Sequence, residues 1–143
     1  MQAIRGRLAP FTLSWSGGQG PTAVLACPPG ERHDLALLVF GILAHRRGWR
    51  IRYLGGDTPF TEMARAVDDG EGCVVVSVTA APVEPDPAGA RALAATGWPV
   101  YLGGPGSDEQ LAAALGGQHL GGDLRDTVAR VAADLARSRH VSR

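Results

Sequence analysis

Glu31 and His33 stand two residues apart in the string Pro28-Pro29-Gly30-Glu31-Arg32-His33-Asp34, with a second acid directly after the histidine. An imidazole that binds a metal keeps one ring nitrogen free while the other donates to a carboxylate, which fixes the tautomer and raises the basicity of the ligand. A carboxylate two residues from a loop histidine meets that need. Three further short stretches add polar or side-chain-free positions: Asp57-Thr58-Pro59 after Gly55-Gly56, then Ser77-Val78-Thr79, then Gly103-Gly104-Pro105-Gly106. A serine extends a hydrogen-bond relay or holds a ligand, and paired glycines let an extended group lie against the backbone. Asp57-Thr58-Pro59 reads as a cap and first turn of a helix, with a polar rim as by-product. Each part alone is ordinary: Glu31 and Asp34 serve equally as first-turn acids on a helix dipole, and Gly103-Gly104 as a turn. Their convergence on one edge of a sheet gives them weight.

That convergence depends on the elements between them. Short apolar runs mark strands at 22–27, 50–54, 73–78, 100–102 and 118–120, alternating with helices near 32–47, 61–67, 87–95, 108–115 and 124–139. The runs Ala23-Val24-Leu25-Ala26 and Val74-Val75-Val76 are continuous, as expected of parallel strands covered on both faces. Five β-α units in series predict an α/β fold: a flavodoxin-like or Rossmann-like, doubly wound, five-stranded parallel sheet of order 2-1-3-4-5. Ligands of such sheets sit beyond the carboxyl ends of the strands, and the four stretches above each follow a strand. Residues 1–20 read as an arm or linker before a domain at 21–143; within the arm, Phe11, Leu13 and Trp15 alternate with Thr12, Ser14 and Ser16, a weak edge-strand signal.

Composition removes several functions. The 143 residues suit one domain. All 14 basic residues are arginine, balanced by 14 acids for a net charge of zero. Without lysine there is no Schiff base, no P-loop lysine and no receiver-domain lysine, and without excess positive charge no nucleic-acid clamp is expected. The first strand is followed by two prolines and acids, not by GxGxxG, which argues against dinucleotides and flavin phosphates. Ser77 occupies the place of a receiver aspartate. The longest apolar run, residues 35–44, is half the ~20 that a membrane helix needs, and the N-terminus has no apolar signal segment, so a cytoplasmic location is expected. Cys27 and Cys73 fall at opposite ends of neighbouring strands, beyond disulfide reach.

Two surfaces complete this reading. In the first helix Leu35, Leu38, Val39 and Ile42 form the stripe expected to face the sheet, leaving Leu37 and Phe40 for a homodimer or partner surface. The basic end, Arg137, Arg139, His140 and Arg143, is expected to be a solvated helix terminus.

The spread Glu31-x-His33-x-x-Ala36, Ser77-x-Thr79 and Gly103-Gly104 resembles the cobalamin (B12)-binding domain, whose motifs are Asp/Glu-x-His-x-x-Gly, Ser-x-Leu and Gly-Gly. The strings 28–35 and Tyr53-Leu54-Gly55-Gly56-Asp57-Thr58-Pro59 are similar to one branch, the C-terminal sensor of light-responsive, B12-dependent MerR-type transcriptional regulators. The similarity covers about residues 22–137. It implies base-off/His-on binding of adenosylcobalamin or methylcobalamin. His33 would be the lower axial ligand to cobalt and Glu31 the carboxylate that orients it. Ser77, Gly103 and Gly104 would line a slot for the detached nucleotide tail. Arg32, Asp34, Asp57, Thr58 and Thr79 would complete the cofactor rim. Ala36 and Thr79 depart from the motif, which has glycine and leucine there. The DNA-reading and four-helix modules of the family regulators do not occur in this sequence, so no direct nucleic-acid binding is expected of this chain alone. With no acid–base pair on a substrate pocket, a non-catalytic sensor or regulator acting through a partner ranks first. A cobalamin-carrying small subunit of a mutase or methyltransferase, and an interaction domain that has lost its cofactor, are the alternatives.

Overall fold

The structure, a computed structural model, describes Trp15 and residues 17–80, 83–84 and 86–141, with side chains to residue 138. Five strands, β1 (Thr22–Ala26), β2 (Arg50–Gly55), β3 (Gly72–Ser77), β4 (Val100–Gly103) and β5 (Gln118–His119), form one sheet in the order β2-β1-β3-β4-β5. Every pairing is parallel. Between the strands run α1 (Leu35–Arg46), α2 (Phe60–Arg65), α3 (Pro87–Ala95) and α4 (Glu109–Ala114), and α5 (Leu124–Val141) closes the fold. The doubly wound sheet and its order are those expected from the sequence.

Side-chain alternation divides the core in two. Ala23, Leu25, Cys27, Cys73, Val75 and Tyr101 face α1 and α5, together with Leu37, Phe40, Val128, Val131 and Leu135. Val24, Ala26, Val74, Val76 and Leu102 face the other way, onto Phe60, Met63, Leu93 and Ala112. Every residue of β1 and β3 is buried, which is why these strands read as unbroken apolar runs. The cysteines are free and buried; Cys73 pairs with Ala23 at the amino end, whereas Cys27 follows the carboxyl end of β1. Burial, with the charges of Asp34 and Glu31, pushes the Cys27 thiol up to about 12, and burial raises Cys73 as well. Both are inert core thiols.

Two expectations are corrected. Leu37 and Phe40 are 1% and 3% exposed, so they are not a free docking surface. Helix α1 is apolar all round, and α5 lies beside it on the same sheet face; α1 is therefore covered from two directions, leaving Leu35, Val39 and Ile42 half-buried instead. Trp15 is buried against Gly41 of α1, and its ring meets Tyr53 edge-on at 5.6 Å. Its carbonyl accepts from Ile51 on the edge strand. The rest of the alternation from Phe11 to Ser16, and the side chains of Arg139, His140 and Arg143, lie outside the described residues. Among the described residues no helix is long and apolar enough to cross a membrane.

Candidate functional site

The parallel register brings the carboxyl ends of the strands level. Cys27 N donates to Gly55 O at 2.8 Å, and Ser77 lies directly beside Gly103. The loops that follow β1, β2, β3 and β4 therefore meet on one edge.

Glu31 is the centre of that meeting. Its carboxylate is 2% exposed, yet it lies in a loop. One oxygen accepts from the backbone amides of Thr79 and Ala80, the latter at 3.0 Å. The other faces His33 Nδ1 at 3.2 Å and accepts from Arg32 N at 3.2 Å. Burial alone would raise this carboxyl, but the amides and the His33 contacts outweigh it and bring its pKa from 4.5 down to about 2. An ionised carboxylate only accepts, so in the neutral imidazole Nδ1 of His33 carries the proton and Nε2 keeps its lone pair. The imidazole is 60% exposed, as a ligand approached from outside the domain must be. Among the described residues no group of three or more His, Cys, Asp and Glu side chains is placed to hold a metal ion.

Neighbouring side chains hold this loop in place. Helix α1 starts at Leu35 and not at 32 as expected; Asp34 precedes it without capping it by its side chain, and its carboxylate accepts from the Tyr53 hydroxyl. Asp57 also differs from expectation. It lies in the left-handed region at φ 51°, two residues before Pro59, which is the N-cap of α2, and its carboxylate accepts from Gly30 N at 2.9 Å. Asp57 N donates to Glu31 O at 2.7 Å and Thr58 N to Cys27 O at 2.9 Å, tying the second loop to the first. The buried Thr58 hydroxyl donates within its own turn, to Gly55 O and Gly56 O. Asp57 and Thr58 are thus struts of the histidine loop. Arg32 contributes its amide and leaves its side chain exposed.

Beside this loop, between the sheet, α1 and α5, is an apolar cleft of about 220 Å³. Leu37, Phe40, Val75, Leu120 and Leu124 supply apolar walls; Ser77 and Thr127 add hydroxyl-bearing side chains, and Ala36, Gly103, Gly104 and Pro105 form its rim. The two glycines do different jobs. Gly104 has φ 96°, and a Cβ there would stand 2.3 Å from Val78 O, so the turn itself demands glycine. A Cβ at Gly103 would meet nothing nearer than Leu120 Cβ at 3.9 Å. Packing leaves room for a methyl group at Gly103, on the rim of the cleft.

Of the residues singled out from sequence, the structure gathers Glu31, His33 and Thr79 into one hydrogen-bonded unit and Ser77, Gly103 and Gly104 around one cleft. Ser77 is not among the partners of Glu31, so the relay runs through backbone amides. That accounts for threonine in place of leucine at 79, since the amide and not the side chain makes the contact. Sequence reasoning missed Ala80, whose contribution is an amide common to all non-proline residues, and the apolar cleft walls, of which Val75, Leu120 and Leu124 read as ordinary core and Leu37 and Phe40 as a partner surface.

The fold and motifs agree with known proteins. No family model matches the chain. It is 39% identical over 106 residues to the HTH-type transcriptional repressor CarA of Myxococcus xanthus, spanning 70% of this chain and 37% of the repressor. Among solved structures it superposes on a novel cobalamin-binding protein from Desulfitobacterium hafniense with a TM-score of 0.66 and 22% identity, over 82% of this chain and 60% of that one. The monomethylamine corrinoid protein of Methanosarcina barkeri gives 0.64 and 16%, over 93% of this chain and 65% of the other. The methanol:cobalamin methyltransferase complex MtaBC of the same organism gives 0.57 and 18%, over 80% and 46%. The chain spans little more than a third of the curated relative and under two thirds of each structural neighbour. It has the fold of the cobalamin-binding domains, as its motifs imply, and is related in sequence to part of a transcriptional repressor.

Proposed function

We propose that residues 21–143 form a cobalamin-binding module of the base-off/His-on kind, serving as a sensor or regulatory domain through a partner. One observation carries the reading: a solvent-facing imidazole whose tautomer is fixed by the buried, ionised Glu31 stands next to an apolar cleft with Gly103 on its rim. His33 Nε2 offers a single nitrogen, as a cobalt already held by a corrin ring needs. The cleft suits a flat, apolar base, with Ser77 and Thr127 for its polar atoms. When bound, the corrinoid brings a cobalt–carbon bond, of the adenosyl or methyl form. The chain's own residues fix the imidazole, hold its Nδ1 proton and exclude water from the tail.

The regulatory role rests on the 39% identity to a repressor, against 16% to a monomethylamine corrinoid protein and 18% to a methanol:cobalamin methyltransferase complex. The fold suits the second reading, a cobalamin-carrying subunit for a catalytic partner, equally well.

Absorption spectra of adenosylcobalamin and methylcobalamin with wild type and His33→Ala test the proposal. A base-off/His-on spectrum that the substitution abolishes is expected; identical free-cofactor spectra for both proteins would refute it. Because His33 is exposed, the variant should keep its fold, losing about 1–3 kcal/mol with the contact to the buried Glu31 carboxylate. Mass in solution before and after green illumination then separates a light sensor, which changes assembly, from a carrier, which does not.

A further inference from the structure

The second histidine of the carboxyl edge, His119, lies outside the machinery described above. It ends β5 and pairs with Leu102, immediately before Leu120 of the cleft wall. Its Nε2 lies 3.0 Å from Ser107 Oγ, and the Ser107 hydroxyl lies 2.7 Å from Gly104 O. Both contacts are satisfied when the hydroxyl donates to Gly104 O and accepts from Nε2–H. Neither Ser107 nor His119 lines the cleft, but the groups they join do: Gly104 and Pro105 on one wall, Leu120 and Gly122 on the next. The far side of the same loop is fastened to the residue that follows β3, by Gly106 N donating to Val78 O at 2.9 Å. Ser107 closes its own turn without help, through its hydroxyl and its amide on Gly104 O. The histidine bond is different, because it crosses to another strand.

We infer that His119 and Ser107 are positioning residues that fix the width of the cleft, and thereby select corrinoids carrying a nucleotide tail over those without one. This rests on the corrinoid reading above. The full chain is titrated with cobalamin and with cobinamide, a corrinoid that lacks the nucleotide, for wild type, His119→Ala, Ser107→Ala and His119→Gln. The alanine variants should bind cobalamin about five- to tenfold more weakly, the range of one net hydrogen bond, and cobinamide within about twofold of wild type. His119→Gln, whose amide N–H takes the place of Nε2–H, should restore the preference. Amide hydrogen exchange at Gly106 and Ser107 in the unliganded protein should quicken in His119→Ala and not in His119→Gln. If His119→Ala does not fold, Ser107→Ala carries the same comparison. Equal losses for both corrinoids, or no loss for either, overturn the clasp while leaving the corrinoid reading standing. Wild type that binds neither corrinoid overturns both.

Discussion

The two ends of the sheet both carry cavities, and they are built in opposite ways. At the amino end a space of about 520 Å³ opens between Gln19, Gly20, Arg50 and the acids Asp68, Asp69 and Glu71. It is more than twice the volume of the carboxyl-end cleft, but its rim is surface loop, its charges are exposed, and Asp68 is already engaged by Arg52 at 2.6 Å. At the carboxyl end a buried carboxylate is spent on orienting one imidazole, and the adjoining cleft has apolar walls. The contrast teaches that size is a poor guide to a site. Convergent polar groups beside an apolar recess are the better one, and the parallel sheet delivers those at its carboxyl edge because each strand feeds its loop there.

The sharpest break in this contrast is expected from Glu31→Gln. Losing a buried charge that satisfies three amides and an imidazole should lower stability by about 2–3 kcal/mol, read by urea denaturation. The same group sets a pH dependence. A carboxyl with a lowered folded-state pKa contributes its full stability above its unfolded value, and that contribution is lost as pH falls through the folded value. For Glu31 the window runs from about pH 4.5 down to about pH 2. Wild type should lose stability across it more steeply than Glu31→Gln, and parallel curves would remove Glu31 as the cause.

Smaller effects should separate the paired glycines. Gly104→Ala forces a Cβ onto Val78 O in a left-handed turn and should cost about 2 kcal/mol or more. Gly103→Ala should stay within about 0.5 kcal/mol of wild type. A larger side chain, Gly103→Val, should instead reduce cobalamin affinity about tenfold by filling the recess. Equal destabilisation at both positions would mean that Gly103 serves the turn and not the cleft. The smallest effect belongs to the amino end: Asp68→Asn removes an ion pair whose partners are 43% and 39% exposed, so thermal melting should register less than about 1 kcal/mol.

Much of this molecule was legible before folding. Strand and helix positions followed from apolar runs and turn residues, because burial on both faces leaves an unbroken run and β-α alternation permits few topologies. The Glu31–His33 pair was readable because two residues of one loop need no tertiary information to meet. Tertiary structure alone decided the rest. Helix α1 is apolar on every side, so its periodicity could not tell which stripe faces the sheet, and packing of α5 beside it buried Leu37 and Phe40. The amides of Thr79 and Ala80 reach Glu31 across 48 and 49 residues, and a backbone N–H leaves no mark in the side-chain code. Gly103 and Gly104 are identical letters. Only the positions of Val78 O and Leu120 Cβ reveal that one is required by its backbone while the other has room for a side chain.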